Sequence, residues 1–195
     1  MRLVFLGPPG AGKGTQAARV AAAFGIPAIS TGDIFRANVK EGTPLGLEAK
    51  RYMDSGAYVP DSVTNGMVRD RLAQADAANG FLLDGYPRTT DQVAELDTML
   101  SAAGVSLDVV VELTADHDEV VRRLLARAEV EGRADDTADV IRHRLEVYAK
   151  ETEPLARVYG DRSLLVQVDG MGEIDDVTAR LLDAIGRPAG GVAAG

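Results

Sequence analysis

The sequence predicts an α/β fold in which a five-stranded parallel sheet carries helices on both faces. Five short apolar segments alternate along the chain with longer segments of helical period. The first apolar segment, residues 3–6, is continuous, as is typical of a strand buried on both faces. Helices between successive strands imply parallel connections. A length of 195 residues favours one domain with its own core.

The predicted strands are short runs rich in Val, Leu and Ile. They lie at residues 3–6, 27–29, 81–83, 109–113 and 164–168. Glycines and a lysine follow the first run at once, so it is interpreted as a strand and not as a signal peptide.

The predicted helices begin at polar capping residues or proline, and several end at glycine. They lie at residues 14–24, 31–39, 44–55, 61–74, 89–103, from 116 to about 127, 136–159 and 173–185. Thr31 or Gly32, Asp61 and Asp116 are the expected starts of three of them, and Asp136 or Thr137 of another. Residues 187–195 are expected to form a disordered tail.

Two stretches interrupt the alternation of strand and helix. Residues 31–74 hold three helices between the second and third strands, and residues 128–134 form a polar link between two helices. Open α/β sheets bind ligands at the carboxyl ends of their strands. Both stretches are therefore predicted to be mobile flaps over a site at that edge.

Composition excludes several functional classes. The formal net charge of -9 disfavours non-specific binding of nucleic acid or anionic membrane. The chain has no Cys, which excludes a thiol nucleophile, a disulfide framework and a Cys-ligated metal. No apolar run reaches the roughly 18 residues of a membrane span. A cytoplasmic protein without a membrane or nucleic-acid partner is the expectation.

The strongest motif is the loop of residues 7–15, which reads G-x-x-x-x-G-K between a buried strand and a helix. Gly10, Gly12 and Gly14 let backbone N–H groups approach an anion closely. The helix dipole and the Lys13 ammonium add positive charge at the same point. The motif predicts phosphate binding; the alternative is a glycine-rich turn with an incidental lysine.

The motif departs from its usual form directly after the lysine. A Ser or Thr that contacts magnesium is usual there, but this chain has Gly14, and Thr15 follows. Magnesium would then be held by nucleotide phosphates and waters, with Asp84 acting through water.

Further sequence blocks carry a family resemblance. They are residues 29–33 (ISTGD), 81–88 (FLLDGYPR), 132–136 (GRADD) and 168–170 (VDG). Together with the phosphate loop they resemble the nucleoside monophosphate kinases, and among these the adenylate kinases, over residues 1–185. The block DGYPR at 84–88 is the most specific part of the match.

The resemblance implies a P-loop NTPase fold and one kinase domain at residues 1–186. It implies a helical AMP-binding flap at about 30–59 and a short lid at about 126–134. The implied reaction is reversible phosphoryl transfer from MgATP to AMP, giving two ADP and maintaining the adenine nucleotide balance. The short lid and the lack of Cys imply no structural zinc. A monomer is expected, because the flaps must move freely.

ATP and AMP together carry a charge of about -6, so an acidic protein must concentrate cations locally. The resemblance selects six: Lys13, Arg36, Arg88, Arg127, Arg133 and Arg144. All but Arg36 are assigned to catalysis, by positioning and electrostatic stabilisation without a general base. For each arginine the alternative is an ordinary solvated side chain. Arg122 and Arg123 are left out, because acidic residues four positions earlier predict helix ion pairs.

The resemblance also divides the binding residues between the two nucleotides. The ATP-binding set is Gly10, Ala11, Gly12, Lys13, Gly14, Thr15, Arg127 and Gly172. The AMP-binding set is Thr31, Arg36, Ala57, Tyr58, Val59, Gly85, Tyr86, Pro87, Arg88, Gln92, Arg133 and Arg144. The Tyr86–Pro87 bond is expected to be cis, which would aim Arg88.

The resemblance implies adenine as the acceptor base, because Thr31 and Gln92 match the adenylate kinase pattern, whereas pyrimidine kinases of the family tend to have Ala and Asn there. A glutamine amide offers both a donor and an acceptor to the adenine edge. The alternative for Gln92 is a capping box with Thr89.

Asp33 is assigned either to the waters of magnesium or to the first turn of a helix, where acidic residues are favoured. Two other functions remain open: a UMP or CMP kinase, and a non-catalytic P-loop nucleotide-binding module. His117 and His143 are assigned no role.

Overall fold

The computed structural model describes residues 1–131 and 137–186. It confirms the α/β fold, with a five-stranded parallel sheet in the order β2-β3-β1-β4-β5. The strands are β1 (Arg2–Leu6), β2 (Ala28–Ser30), β3 (Phe81–Asp84), β4 (Val109–Thr114) and β5 (Leu165–Asp169).

Helices connect successive strands, and a final helix follows β5 in the described chain. They are α1 (Lys13–Phe24), α2 (Thr31–Glu41), α3 (Pro44–Ser55), α4 (Asp61–Leu72), α5 (Thr90–Ala102), α6 (His117–Glu131), α7 (Ala138–Val147), α8 (Leu155–Asp161) and α9 (Ile174–Ile185). A 3-10 turn occupies Ala75–Ala77 and a π-helical turn occupies Tyr148–Thr152.

Strand order explains where a ligand can bind. The connection after β1 leads towards one edge of the sheet, and the connection after β4 leads towards the other. Loops that diverge in this way leave a crevice at the carboxyl end of the central strand. The phosphate loop begins directly after β1 and therefore lies in this crevice.

The core forms two layers, one on each face of the sheet. Val4 and Leu83 face a cluster shared with α4, α5 and α8, while Leu3 and Phe5 face a cluster shared with α1 and α9. All four side chains are at most 1% exposed. Both faces are covered, which explains the apolar character of successive residues along β1.

The single helix predicted at 136–159 is wrong. Thr137 caps α7, which ends at Val147, and a new helix begins at Leu155. Between them the N–H of Glu153 donates to the carbonyl of Tyr148 at 2.9 Å, in a π-helical turn. Pro154 has no N–H and cannot continue a helical ladder, which explains the break.

Two predicted helix caps are also wrong. Ser30 caps α2, and its Oγ accepts from the Asp33 N–H at 3.3 Å, so Thr31 is the first helical residue. Asp61 is likewise the first helical residue of α4 and follows Pro60. Asp116 does cap α6, because its Oδ1 accepts from the N–H groups of the residues two and three positions later.

The three helices predicted between the second and third strands are present as α2, α3 and α4. They have a small core of their own around Phe35, Ala49 and Val59. Gly46 lets α3 approach α2, since a Cβ there would lie 2.1 Å from the Asn38 carbonyl oxygen.

The first part of the predicted lid, residues 126–131, continues helix α6. The rest of the predicted lid beyond 131 and the predicted tail at 187–195 lie outside the described residues. None of the described helices is both long and apolar enough to cross a bilayer.

Candidate active site

A cleft of about 490 Å³ opens at the carboxyl edge of the sheet. Its walls come from the phosphate loop, the starts of α2 and α4, the loop after β3, and helices α6 and α7. Most of the predicted site residues line it: Gly10, Gly12, Lys13, Gly14, Thr15, Thr31, Asp33, Arg36, Ala57, Tyr58, Val59, Asp84, Gly85, Pro87, Arg88, Gln92, Arg127 and Arg144.

Three predicted residues lie away from this wall, and a fourth cannot be placed on it. Ala11 and Tyr86 are buried, at 1% and 0% exposure, and do not form part of the described wall. Gly172 lies in the loop after β5 beside the Arg180 guanidinium, also outside that wall. Arg133 lies outside the described residues.

The phosphate loop adopts a conformation that needs glycine. Gly7 has φ +136°, and a Cβ there would lie 2.4 Å from the Leu113 carbonyl oxygen. Gly10 has φ +89°, and a Cβ would lie 2.9 Å from the Val120 carbonyl oxygen. These positive φ values and close approaches explain why the loop carries glycines at these two positions.

Lys13 closes the loop on itself. Its Nζ donates to the carbonyl oxygens of Gly7 at 2.6 Å and Pro8 at 2.8 Å. Burial lowers the pKa of Lys13 to about 8; Asp84 raises it, and the guanidinium groups of Arg88, Arg144 and Arg127 lower it further. Four of the six predicted cations, Lys13, Arg88, Arg127 and Arg144, thus line one cleft and influence one another, and a polyanion would be stabilised there.

Arg88 is held by four groups. Its Nε donates to the Gly85 carbonyl at 2.7 Å, and its guanidinium lies 4.9 Å from the centre of the Tyr58 ring. Its backbone N–H donates to Gln92 Oε1 at 2.7 Å, and its carbonyl accepts from the Thr152 hydroxyl at 2.8 Å. The Tyr86–Pro87 bond before it is cis, as predicted.

Arg36 and Asp33 face each other across the first turn of α2. The Arg36 Nη2 donates to Asp33 Oδ1 at 2.5 Å. The Asp33 side chain is 71% exposed, in keeping with an acidic residue at a helix start. A contact of Asp33 with the waters of magnesium stays a prediction.

Asp84 ends β3 beside the phosphate loop. A Cβ on Gly14 would lie 3.7 Å from Asp84 Oδ2, so this carboxylate lies directly beside the phosphate loop, and Asp84 lines the cleft. In the described ranges, no group of three His, Asp or Glu residues could hold a metal ion. The cleft offers the carboxylates of Asp84 and Asp33, and so few protein oxygens suit a magnesium ion held mainly by phosphates and waters.

Thr31 and Gln92 take part in local hydrogen bonds. The Thr31 hydroxyl donates to the Gly85 carbonyl at 2.9 Å. The Gln92 N–H donates to Thr89 Oγ1 at 3.1 Å, as a helix cap requires. The Gln92 side chain does not complete the capping box, because its Oε1 accepts from the N–H of Arg88 instead.

Sequence reasoning missed Arg123. Its Nε pairs with Glu119 Oε1 at 2.7 Å, as the spacing predicted, but it also lines the cleft. Its Nη1 donates to the Gly170 carbonyl at 3.3 Å. Arg127 lies four positions after Arg123, which places both on one face of α6. That spacing is the signal that could have identified Arg123.

Arg122 pairs with Glu119 three residues earlier, not with the acidic residue four earlier. Hydrogen bonds from Arg122 and then Arg123 lower the pKa of Glu119 to about 2. One carboxylate thus serves both guanidinium groups, and only Arg123 also lines the cleft.

Comparison with known proteins identifies the family. The family model described as adenylate kinase matches residues 5–164. An adenylate kinase of Nocardioides sp. is 65% identical over 185 residues, covering 95% of this chain and 97% of the relative. One of Kocuria rhizophila is 63% identical over 186 residues, covering 95% and 99% of the two chains. One of Micrococcus luteus is 62% identical, covering 94% and 90%. The chain belongs to the adenylate kinase family.

Proposed function

We propose that the cleft carries out the reaction of the family, reversible transfer of a phosphoryl group from MgATP to AMP to give two ADP. The observation that carries the proposal is that Lys13, Arg88, Arg127 and Arg144 line one cleft beside the phosphate loop. In the cell this reaction would maintain the balance of adenine nucleotides.

The two nucleotides would occupy opposite ends of the cleft. The phosphate loop and Arg127 would hold ATP, and Arg123 joins that set because it lines the same wall from α6. Ala11 would contribute its backbone N–H, and Gly172 would approach the ATP adenine by its backbone. The side opposite, formed by α2, the α3–α4 link and the loop after β3, would hold AMP.

Catalysis would be electrostatic. The acceptor oxygen of AMP is already ionised at neutral pH, so no side chain needs to remove a proton. Lys13 and the arginines would stabilise the charge that spreads over the transferred group. Arginine suits this role because its planar fork binds two phosphate oxygens at once. Arg133 would join them from the predicted lid.

Magnesium fits the residues present, since Asp84 offers a carboxylate beside Gly14. Asp84 would hold waters of the ion, and Asp33 is the weaker second candidate. When bound, the ion neutralises phosphate charge and orients the outer phosphates.

We further propose that the chain acts as a monomer in the cytoplasm. Its net charge of -9 disfavours non-specific binding of nucleic acid and anionic membranes, and flaps that must move freely favour a monomer. Sedimentation equilibrium would reveal a stable oligomer.

The acceptor panel AMP, CMP, UMP and GMP, each with MgATP and with a control lacking acceptor, tests the function. ADP formation that strongly favours AMP is the expected result, because Gln92 offers a donor and an acceptor to the base. Preference for CMP or UMP would support the kinase activity but contradict the recognition of adenine by Gln92. Hydrolysis independent of acceptor would contradict the kinase itself and favour a nucleotide-binding module.

The pKa of Lys13 predicts that nucleotide affinity depends on pH. The free protein loses the Lys13 charge as pH rises through about 8, whereas bound phosphate raises that pKa. MgATP affinity should therefore fall above this pH, and binding at a pH of about 8.5 should take up protons. Calorimetry in two buffers of different ionisation enthalpy measures that uptake. Lys13→Arg should abolish it, since a guanidinium stays charged.

The lowered pKa of Lys13 also affects stability, but in the opposite direction: MgATP affinity should fall as pH rises, whereas the contribution of Lys13 to stability should increase. The unfolded lysine keeps its proton up to its ordinary pKa of 10.5, whereas the folded one releases it near 8. Between these values the unfolded state binds more protons, so the contribution of Lys13 to the free energy of unfolding rises with pH. A loss of MgATP affinity that merely followed unfolding would contradict this assignment.

A further inference from the structure

The Asp61 carboxylate connects the start of α4 to the start of α5. Its Oδ2 accepts from the Thr89 hydroxyl at 2.8 Å, and its Oδ1 accepts from Gln92 Nε2 at 2.6 Å. Asp61 was expected to cap its own helix, yet both oxygens face another helix. The Asp61 side chain therefore bonds Gln92, the residue that was predicted to recognise the base.

The Gln92 amide is held at both ends. Its Nε2 donates to Asp61, and its Oε1 accepts from the Arg88 N–H at 2.7 Å. Gln92 is 1% exposed, so these bonds are shielded from water. A carboxylate can only accept and a backbone N–H can only donate, so rotating the amide by 180° would break both bonds.

The fixed orientation of the Gln92 amide determines which donor and which acceptor remain for a ligand. One Nε2–H and one lone pair of Oε1 are left, and Gln92 lines the cleft. Adenine presents an acceptor at N1 and a donor at its 6-amino group. A 6-oxopurine presents a donor at N1 and an acceptor at O6, which is the reverse pattern. An amide that cannot rotate would accept the first base and reject the second.

We propose that Asp61 is a positioning residue that sets the selectivity of the acceptor site for adenine over 6-oxopurines, by holding the Gln92 amide in one orientation. This inference rests on the proposed function, in which Gln92 faces the base of AMP. Asp61 acts through Gln92 and contacts no substrate itself.

The test is the ratio of kcat/KM for AMP to kcat/KM for IMP. IMP differs from AMP at the 6-position and N1 alone, so it reverses the pattern that Gln92 meets. The ratio does not depend on the concentration of active enzyme, so a loss of folded protein alone leaves it unchanged. Asp61→Ala removes the bond to Nε2, and we expect the ratio to fall by about tenfold or more.

Two variants serve as controls. Asp61→Asn has the same shape and an acceptor oxygen, so it should keep the ratio within about threefold of the original. Asp70→Ala removes an exposed carboxylate from the same helix and should leave the ratio unchanged. If Asp61→Ala yields no folded protein, Asp61→Ser removes the same bond with a side chain too short to reach Gln92.

Gln92→Ala separates this inference from the proposed function. A ratio that falls in Gln92→Ala but stays unchanged in Asp61→Ala overturns the role of Asp61 and leaves adenine reading by Gln92 in place. A ratio unchanged in Gln92→Ala means that other residues recognise the base. That result would overturn both the role of Asp61 and the reading of adenine by Gln92, while the reaction itself is tested by the acceptor panel. A fall in both variants, with Asp61→Asn near the original, supports the inference.

Discussion

Arg88→Ala is expected to lower kcat by about 10²–10³-fold while the fold stays intact. Arg88 lies in the cleft, where its Nε bond to Gly85 and its stacking on the Tyr58 ring aim the guanidinium. Such a preorganised cation needs no reorganisation when charge develops on the transferred group. Alanine keeps the backbone bonds of this residue and removes only the guanidinium.

Initial rates of ADP formation at saturating MgATP and AMP measure the effect, and thermal unfolding measures the fold. Arg88→Lys should recover only part of the activity, because an ammonium has neither the planar fork nor the stacking surface. Arg157→Ala, which removes an exposed arginine from α8, should keep the original kcat. Near-normal turnover in Arg88→Ala would remove this residue from the mechanism.

Lys13→Met is expected to lower kcat/KM for MgATP by at least about 10²–10³-fold. The Nζ of Lys13 bonds the carbonyls of Gly7 and Pro8, so the ammonium is held within the loop that would cradle the phosphates. Methionine retains much of the length and the apolar stem but carries no charge.

Steady-state kinetics with varied MgATP, together with direct binding of MgATP, test this expectation. Lys40→Met on α2 removes an exposed lysine of the same formal charge and should leave both parameters unchanged. Since Lys13 belongs to the phosphate loop, binding of MgATP should weaken more than binding of AMP. Equal loss for both nucleotides, or none for MgATP, would contradict the assignment.

Local sequence predicted what depends on near neighbours along the chain. The run at residues 3–6 became the central strand because four apolar side chains in succession must be covered on both faces. The motif at residues 7–15 predicted the phosphate loop, and the positive φ values and close approaches at Gly7 and Gly10 explain its glycines. The break after Val147 was missed although Pro154 signals it locally, since a proline lacks the N–H that a continuing helix needs.

Hydrogen-bond partners that are distant in the sequence could not be predicted from local patterns. Arg123 satisfied the rule for a helix ion pair, and only the packing of α6 beside the loop after β5 brought its guanidinium to the cleft. Asp61 satisfied the rule for a helix start, but its carboxylate bonds Gln92, 31 residues away. The ion pair predicted for Arg123 was correct but incomplete, and the cap predicted for Asp61 was wrong, since a charged group can bond partners far away in the sequence.

The sequence by itself determined the fold class, the phosphate loop and the residue types of the cleft, because periodicity, glycine conformation and charge are local properties. Tertiary structure alone decided that Lys13 lines one cleft with Arg88, Arg127 and Arg144, and that the Gln92 amide lies between Asp61 and Arg88. Strand order brings these groups together from distant parts of the chain, and burial then lowers the pKa of Lys13. The physical reason is that electrostatic and hydrogen-bond geometry depends on distance in space, which the folded sheet sets.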